Sequence, residues 1–126
     1  MNREIKFRGK RNNGEWVYGY YVKTPKGECR IYLQPFEDAS SNTYYDVIPE
    51  TISEFTGLKD KNGKEIYEGD IVQHDLWEYP FEVIFNKEKA RFVCKLKGGL
   101  SDYINSERLI VVGNIYENPE LLKSEK

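Results

Sequence analysis

Histidine is nearly absent from this 126-residue chain, which has one, His74, and only two cysteines, Cys29 and Cys94. The cysteines lie far apart with no CxxC spacing and no second histidine to complete a zinc set, so neither a structural metal nor any other cofactor is expected. In a reducing compartment both read as small buried hydrophobes. Long apolar runs are missing too. The longest, Leu109 to Val112, falls far short of the roughly 20 residues that span a bilayer. The first residues, Met1 to Arg8, alternate charged with apolar side chains and contain no apolar core of a signal peptide. These absences predict an intracellular, cytoplasmic protein without a membrane contact. An excess of one charge is also lacking. With 19 basic and 21 acidic side chains the net charge is −2, and no global field attracts or repels nucleic acid.

Covalent chemistry has few parts to draw on. No GxSxG elbow or phosphate-binding glycine loop occurs. His74 precedes Asp75, but neighbours on a strand point to opposite faces, so the pair is expected to be poorly placed as a dyad. Asp60-Lys61-Asn62-Gly63 has the flavour of a calcium loop, yet the glycine comes two positions early and no carboxylate closes the loop, whose twelfth position is Ile71. Solvated turn residues are the expectation there. A carboxylate pair such as Glu54 and Asp70 is the remaining route to an enzyme.

What is present is period-2 patterning. Ile5 and Phe7 alternate with Lys6 and Arg8, and Asn12-Asn13-Gly14 supplies a hairpin connection. Trp16, Tyr18 and Tyr20 fall on one face of the next strand and Val17, Gly19 and Tyr21 on the other, which predicts a strand covered on both sides. Pro25-Lys26-Gly27 turns the chain into a strand over Cys29 to Leu33. A polar loop is expected from Gln34 to Thr43, then a strand from Tyr44 to Ile48 stopped by Pro49. Pro49 to Phe55 fits a strand or a helical turn closed by Thr56-Gly57. Asn62-Gly63 favours a type I′ turn. A tight turn at Glu68-Gly69-Asp70 precedes a strand, with Asp70 accepting backbone N–H groups. A hairpin is expected over Phe81–Phe85 and Arg91–Leu96, and a last strand over Leu109–Tyr116. One helix is expected between Ser101 and Arg108, and another where Asn118 serves as N-cap and Pro119 as first helical residue. The sum is a single, mainly β domain over residues 1–126: short antiparallel strands in a partly open barrel or two packed sheets, with one or two short helices including one at the C-terminus.

Two binding surfaces follow from composition. Arg8, Lys10 and Arg11 stand beside Trp16, Tyr18 and Tyr20, and cations next to aromatic rings are how single strands of nucleic acid are held. Edge strands and ten tyrosines also suit a protein interface, including one between copies of the chain.

The run from Pro49 through Thr56-Gly57-Leu58-Lys59-Asp60-Lys61-Asn62-Gly63 to Glu68-Gly69-Asp70-Ile71-Val72 resembles the YopX family. Arg3 to Arg8 and Val112 to Leu122 are similar to the same family, so the resemblance spans nearly the whole chain. It implies a small, mostly β protein of bacteriophages and prophages with no catalytic residues to carry over. Gly57, Asn62, Gly63, Gly69 and Asp70 then read as turn residues that determine the fold. The combined expectation is a non-enzymatic accessory protein that binds itself or a phage or host protein. Single-stranded nucleic-acid binding is the alternative, and a carboxylate-based enzyme the third.

Overall fold

The computed structural model describes residues 4–33 and 43–123; the expected Gln34–Thr43 loop falls almost wholly outside them. The architecture is mainly β, with two antiparallel sheets that do not close into a barrel. The chain divides into two compact units at Phe55 and Thr56.

In the first unit, β1 (Phe7–Lys10), β2 (Trp16–Lys23), β3 (Cys29–Leu33), β4 (Tyr44–Asp46) and the start of β5 (Ile48–Lys59) lie in the order β4-β3-β2-β1-β5. Val47 alone separates β4 from β5, so the segment that pairs with β3 runs straight on into the one that pairs with β1. The sheet therefore bends round a core of Val17, Cys29, Ile31 and Val47, with Phe7, Tyr21, Leu33, Tyr45 and Ile52 packed against it. Pro49 does not stop the strand. It lies within β5 in the stretch where the β1 register shifts, a place where a missing N–H costs little. There the Thr51 hydroxyl accepts the Lys10 N–H at 2.8 Å and donates to the Ile48 carbonyl at 2.6 Å. Gly57 is not a chain-reversing turn either. At φ +89° it marks a local irregularity inside β5, which continues to Lys59.

The second unit contains the end of β5, then β6 (Glu65–Tyr67), β7 (Asp70–His74), β8 (Phe81–Asn86), β9 (Arg91–Leu96), β10 (Gly99–Leu100) and β11 (Leu109–Asn114). Its five-stranded sheet has the order β10-β9-β8-β7-β11. Ile66, Val72, Val83, Cys94, Ile104 and Leu109 form the core. Burial pushes the Cys94 thiol up to about 11, an inert structural cysteine. The expected Ser101–Arg108 helix shrinks to a single 3₁₀ turn over Ser106–Arg108, which has no side-chain cap. Pro119–Lys123 is also 3₁₀. The Asn118 side chain turns back to accept the Asn114 N–H at 3.2 Å, and so folds the chain end onto β11.

The turn at Asn62-Gly63 is not type I′, because that geometry needs positive φ at both residues and, among the described residues, Ala90 is the one non-glycine with positive φ. Gly63 alone takes it, at +86°. The hydrogen bonds are those of a three-residue connection: Gly63 N–H to the Asp60 carbonyl at 2.9 Å and Asp60 N–H to the Lys64 carbonyl at 2.7 Å. The Arg11–Glu15 and Thr24–Glu28 turns repeat the pattern with Gly14 and Gly27. A Cβ on Gly63 would meet nothing within 4 Å, so Gly63→Val tests backbone strain alone. It should lower stability by more than about 1 kcal/mol in a urea melt; an unchanged midpoint would refute the left-handed assignment.

Candidate functional site

Residues directly opposite in an antiparallel pair point to the same side of the sheet. Arg8 opposes Tyr18 and Lys10 opposes Trp16; Tyr20 opposes Tyr32; Tyr32 opposes Tyr44, and Arg30 opposes Asp46. One face of β1–β4 therefore carries Trp16, Tyr18, Tyr20, Tyr32 and Tyr44 with Arg8, Lys10 and Arg30. The other face is the apolar core. Strand β2 is thus covered on one side: Val17 is buried, whereas Tyr18 and Tyr20 are 43% and 40% exposed.

The aromatic row is laced with cations. The Arg8 guanidinium lies 4.6 Å from the centre of the Trp16 ring and Lys10 Nζ 5.9 Å. Arg30 sits 4.3 Å over Tyr44, whose ring meets Tyr32 at 5.1 Å. Such contacts fix the rings and keep positive charge beside them. Carboxylates accompany the cations: Arg30 meets Glu28 at 3.1 Å and Asp46 at 3.5 Å. Five of the six expected nucleic-acid residues share this face. Arg8 is buried there, 5% exposed, and acts as a support for Trp16 rather than as an open phosphate contact. Arg11 does not join them. It lies over Tyr45 at 4.2 Å and pairs with Glu15 at 2.6 Å, lining with Asn12, Asn13, Tyr44, Tyr45 and Asp46 a cleft of about 380 Å³. Arg30, Tyr32 and Tyr44 were not singled out from sequence. Their alternation was readable, but their alignment with Tyr20 depends on the β2–β3–β4 register.

Two of the expected turn residues, Gly69 and Asp70, lie where β6 passes into β7. Gly69 takes φ +89° between β6 and β7, and buried Asp70 accepts the Tyr67 N–H at 2.7 Å. Asp60 is no solvated turn residue. At 6% exposure, its Oδ1 accepts the N–H groups of Asn62 at 2.8 Å and Lys64 at 2.9 Å, and its Oδ2 accepts that of Val111 on β11 at 2.9 Å. Burial by itself would raise its pKa, but the N–H donors of Val111, Lys64 and Asn62 overcome that and hold the carboxyl below its usual range. Among the described residues no three His, Cys, Asp or Glu side chains converge as metal ligands would.

His74 and Asp75 are not on opposite faces. The strand ends at His74, and Trp77 N–H donates to the His74 carbonyl at 3.0 Å to close a turn. That turn brings His74 Nδ1 to 3.0 Å from Asp75 Oδ1. Arg108 holds the same carboxylate at 2.9 and 3.0 Å and sets its pKa below the usual carboxylate range.

The YopX protein family model matches residues 6–123. No curated protein matches the chain. Among solved structures, the chain is similar to the crystal structure of protein EF1440 from Enterococcus faecalis. The two are 26% identical with a TM-score of 0.59, over 96% of this chain and 99% of that one.

Proposed function

Starting from a chain that belongs to the YopX family, we propose a non-enzymatic binding module that docks a protein surface on the aromatic face of β1–β4. The observation that carries this is the alignment of five aromatic side chains across β2, β3 and β4, three of them, Tyr18, Tyr20 and Tyr44, exposed. Tyrosine supplies large contact area at low entropic cost and keeps a hydroxyl for hydrogen bonding, which suits a protein interface. Charge argues the same way. Arg30 stands between two carboxylates and Arg11 beside a third, so the region offers both signs, as a self-complementary contact needs. A second copy of the chain is therefore the first partner to test. In this reading the two units serve one family domain, and the setting is the cytoplasm of a bacterial host carrying a phage or prophage.

Light scattering coupled to size exclusion, run from micromolar to millimolar protein, should show a mass rising above the 14.8 kDa of one chain. Tyr18→Ala with Tyr20→Ala should hold it at one chain and leave the melting midpoint nearly unchanged, because both rings are exposed. A constant single-chain mass for the native protein at millimolar concentration would overturn self-association.

Arg8 and Lys10 over the Trp16 ring favour one second reading, single-stranded nucleic acid stacked on the same row. Its test is fluorescence anisotropy with single-stranded and duplex oligonucleotides at two salt concentrations. Micromolar binding that weakens with salt and with Arg8→Ala and Trp16→Ala would put this reading first.

A further inference from the structure

The turn after β7 carries the chain's single histidine, and its Nδ1 is approached by two partners that need opposite protonation states. Leu76 N–H donates to Nδ1 at 3.0 Å, which requires a lone pair there. Asp75 Oδ1 lies 3.0 Å from the same nitrogen, and a hydrogen bond between the two requires a proton there. One ring nitrogen offers one or the other.

The surroundings hold the frame of this turn whichever partner wins. Gln73 Nε2 donates to the carbonyls of His74 and Trp77, both at 3.0 Å. The imidazole stacks on Trp77, centroids 5.1 Å apart at 26°, and Trp77 meets Phe81 edge-on at 5.4 Å. Facing Asp75 from the segment before β11 is Arg108, bound to both carboxylate oxygens. Lys61, from the β5–β6 turn, is the further cation that acts on this carboxylate. Asp75 is thus the acidic group beside the imidazole, and Arg108 and Lys61 are the cations that share its carboxylate.

We infer that His74 is a proton-operated latch for the tip of this turn. With the ring neutral, Nδ1 holds the Leu76 N–H and fixes the tip. With the ring protonated, Nδ1–H donates to Asp75, the imidazolium gains cation–π attraction to Trp77, and the Leu76 amide is released to water. The segment that moves is the one that displays Leu76, a residue 75% exposed. Acid therefore changes how an exposed apolar residue is presented without unfolding the sheet.

The test follows two reporters between pH 8 and 5, the span in which histidines ordinarily change charge. One is the Leu76 amide resonance in the native protein; the other is Trp77 emission in a Trp16→Phe background, which leaves a single tryptophan. Both should titrate with one midpoint, emission falling as the imidazolium forms. His74→Gln should flatten both, and Asp75→Asn should lower the midpoint by removing the carboxylate that accepts the proton. A Leu76 amide that stays fixed while Trp77 emission titrates would overturn the latch, as would two separate midpoints or no transition in either signal.

Discussion

Replacing Gly19 by alanine should destabilise the protein by about 3 kcal/mol or more, even though the change adds one methyl group. Gly19 lies in the middle of β2, opposite Phe7 on one side and Leu33 on the other. A Cβ built there falls 1.9 Å from the Tyr32 carbonyl oxygen and 2.9 Å from its carbon. Both are backbone atoms of the neighbouring strand. Overpacking a side-chain core typically costs about 1–3 kcal/mol because side chains can rotate away. Here only separation of β2 from β3 relieves the overlap, with loss of ladder bonds. Gly113 gives the contrast: its Cβ would meet side-chain atoms of Asn118, Oδ1 at 2.6 Å and Cβ at 2.9 Å, which are carried by the segment after β11 and can shift with it without parting two paired strands. Urea denaturation should therefore rank Gly19→Ala well below Gly113→Ala, and equal midpoints would refute the close approach. Function is tied to the same contact. Gly19 stands between Tyr18 and Tyr20, and the nearness of β3 is what brings Tyr32 and Tyr44 into their row. Any folded Gly19→Ala protein should also lose the association assigned to that face.

That dependence explains what could be read from the chain and what could not. Alternation placed Trp16, Tyr18 and Tyr20 on one face of β2 correctly, since side-chain parity is a local property of a strand. It could not say whether that face is covered, and the prediction of a doubly covered strand failed for Tyr18 and Tyr20. Nor could it extend the row to Tyr32 and Tyr44, because cross-strand register is set by distant pairing. Glycines were legible as points of unusual backbone at Gly57, Gly63 and Gly69, but the kind of irregularity was not. Gly57 sits inside β5, and the Asn62-Gly63 connection closes over three residues instead of two. His74 and Asp75 failed for a related reason: strand alternation was carried one residue past the strand's end. Asp60 was the largest omission. Its two nearer contacts belong to its own turn and were within reach of turn chemistry, whereas Val111 is 51 residues away.

Asp60 also provides a pH dependence with a defined sign. Its carboxylate accepts three backbone N–H groups, two in the β5–β6 turn and one on β11. The Lys61 N–H beside it donates to the Leu109 carbonyl at 2.9 Å, so the turn satisfies one donor and one acceptor of β11. Asp60→Ala would leave these N–H groups without their charged acceptor at a partly buried turn. Hydrogen bonds to charged groups contribute about 1.5–3 kcal/mol, and a buried orphan donor costs about 1–3 kcal/mol. A total near 4 kcal/mol is expected, since one deletion removes all three bonds non-additively. Asp60→Asn should cost less, about 2 kcal/mol, because one oxygen remains while the amide nitrogen opposes an N–H. The folded-state pKa of Asp60 lies below the ordinary value. Its contribution is therefore fully present above the unfolded carboxyl pKa of about 3.9 and is lost as pH falls through the folded value. The stability gap between the native chain and Asp60→Asn should be constant from pH 7 to about 5 and should narrow below about 4. Asp75, also held low, titrates in the same acid range, but its pair with Arg108 is solvent-exposed and contributes little; it is present in both proteins and cancels in the difference. A gap that stays constant down to pH 2 would show that the Asp60 carboxylate is not what ties the β5–β6 turn to β11.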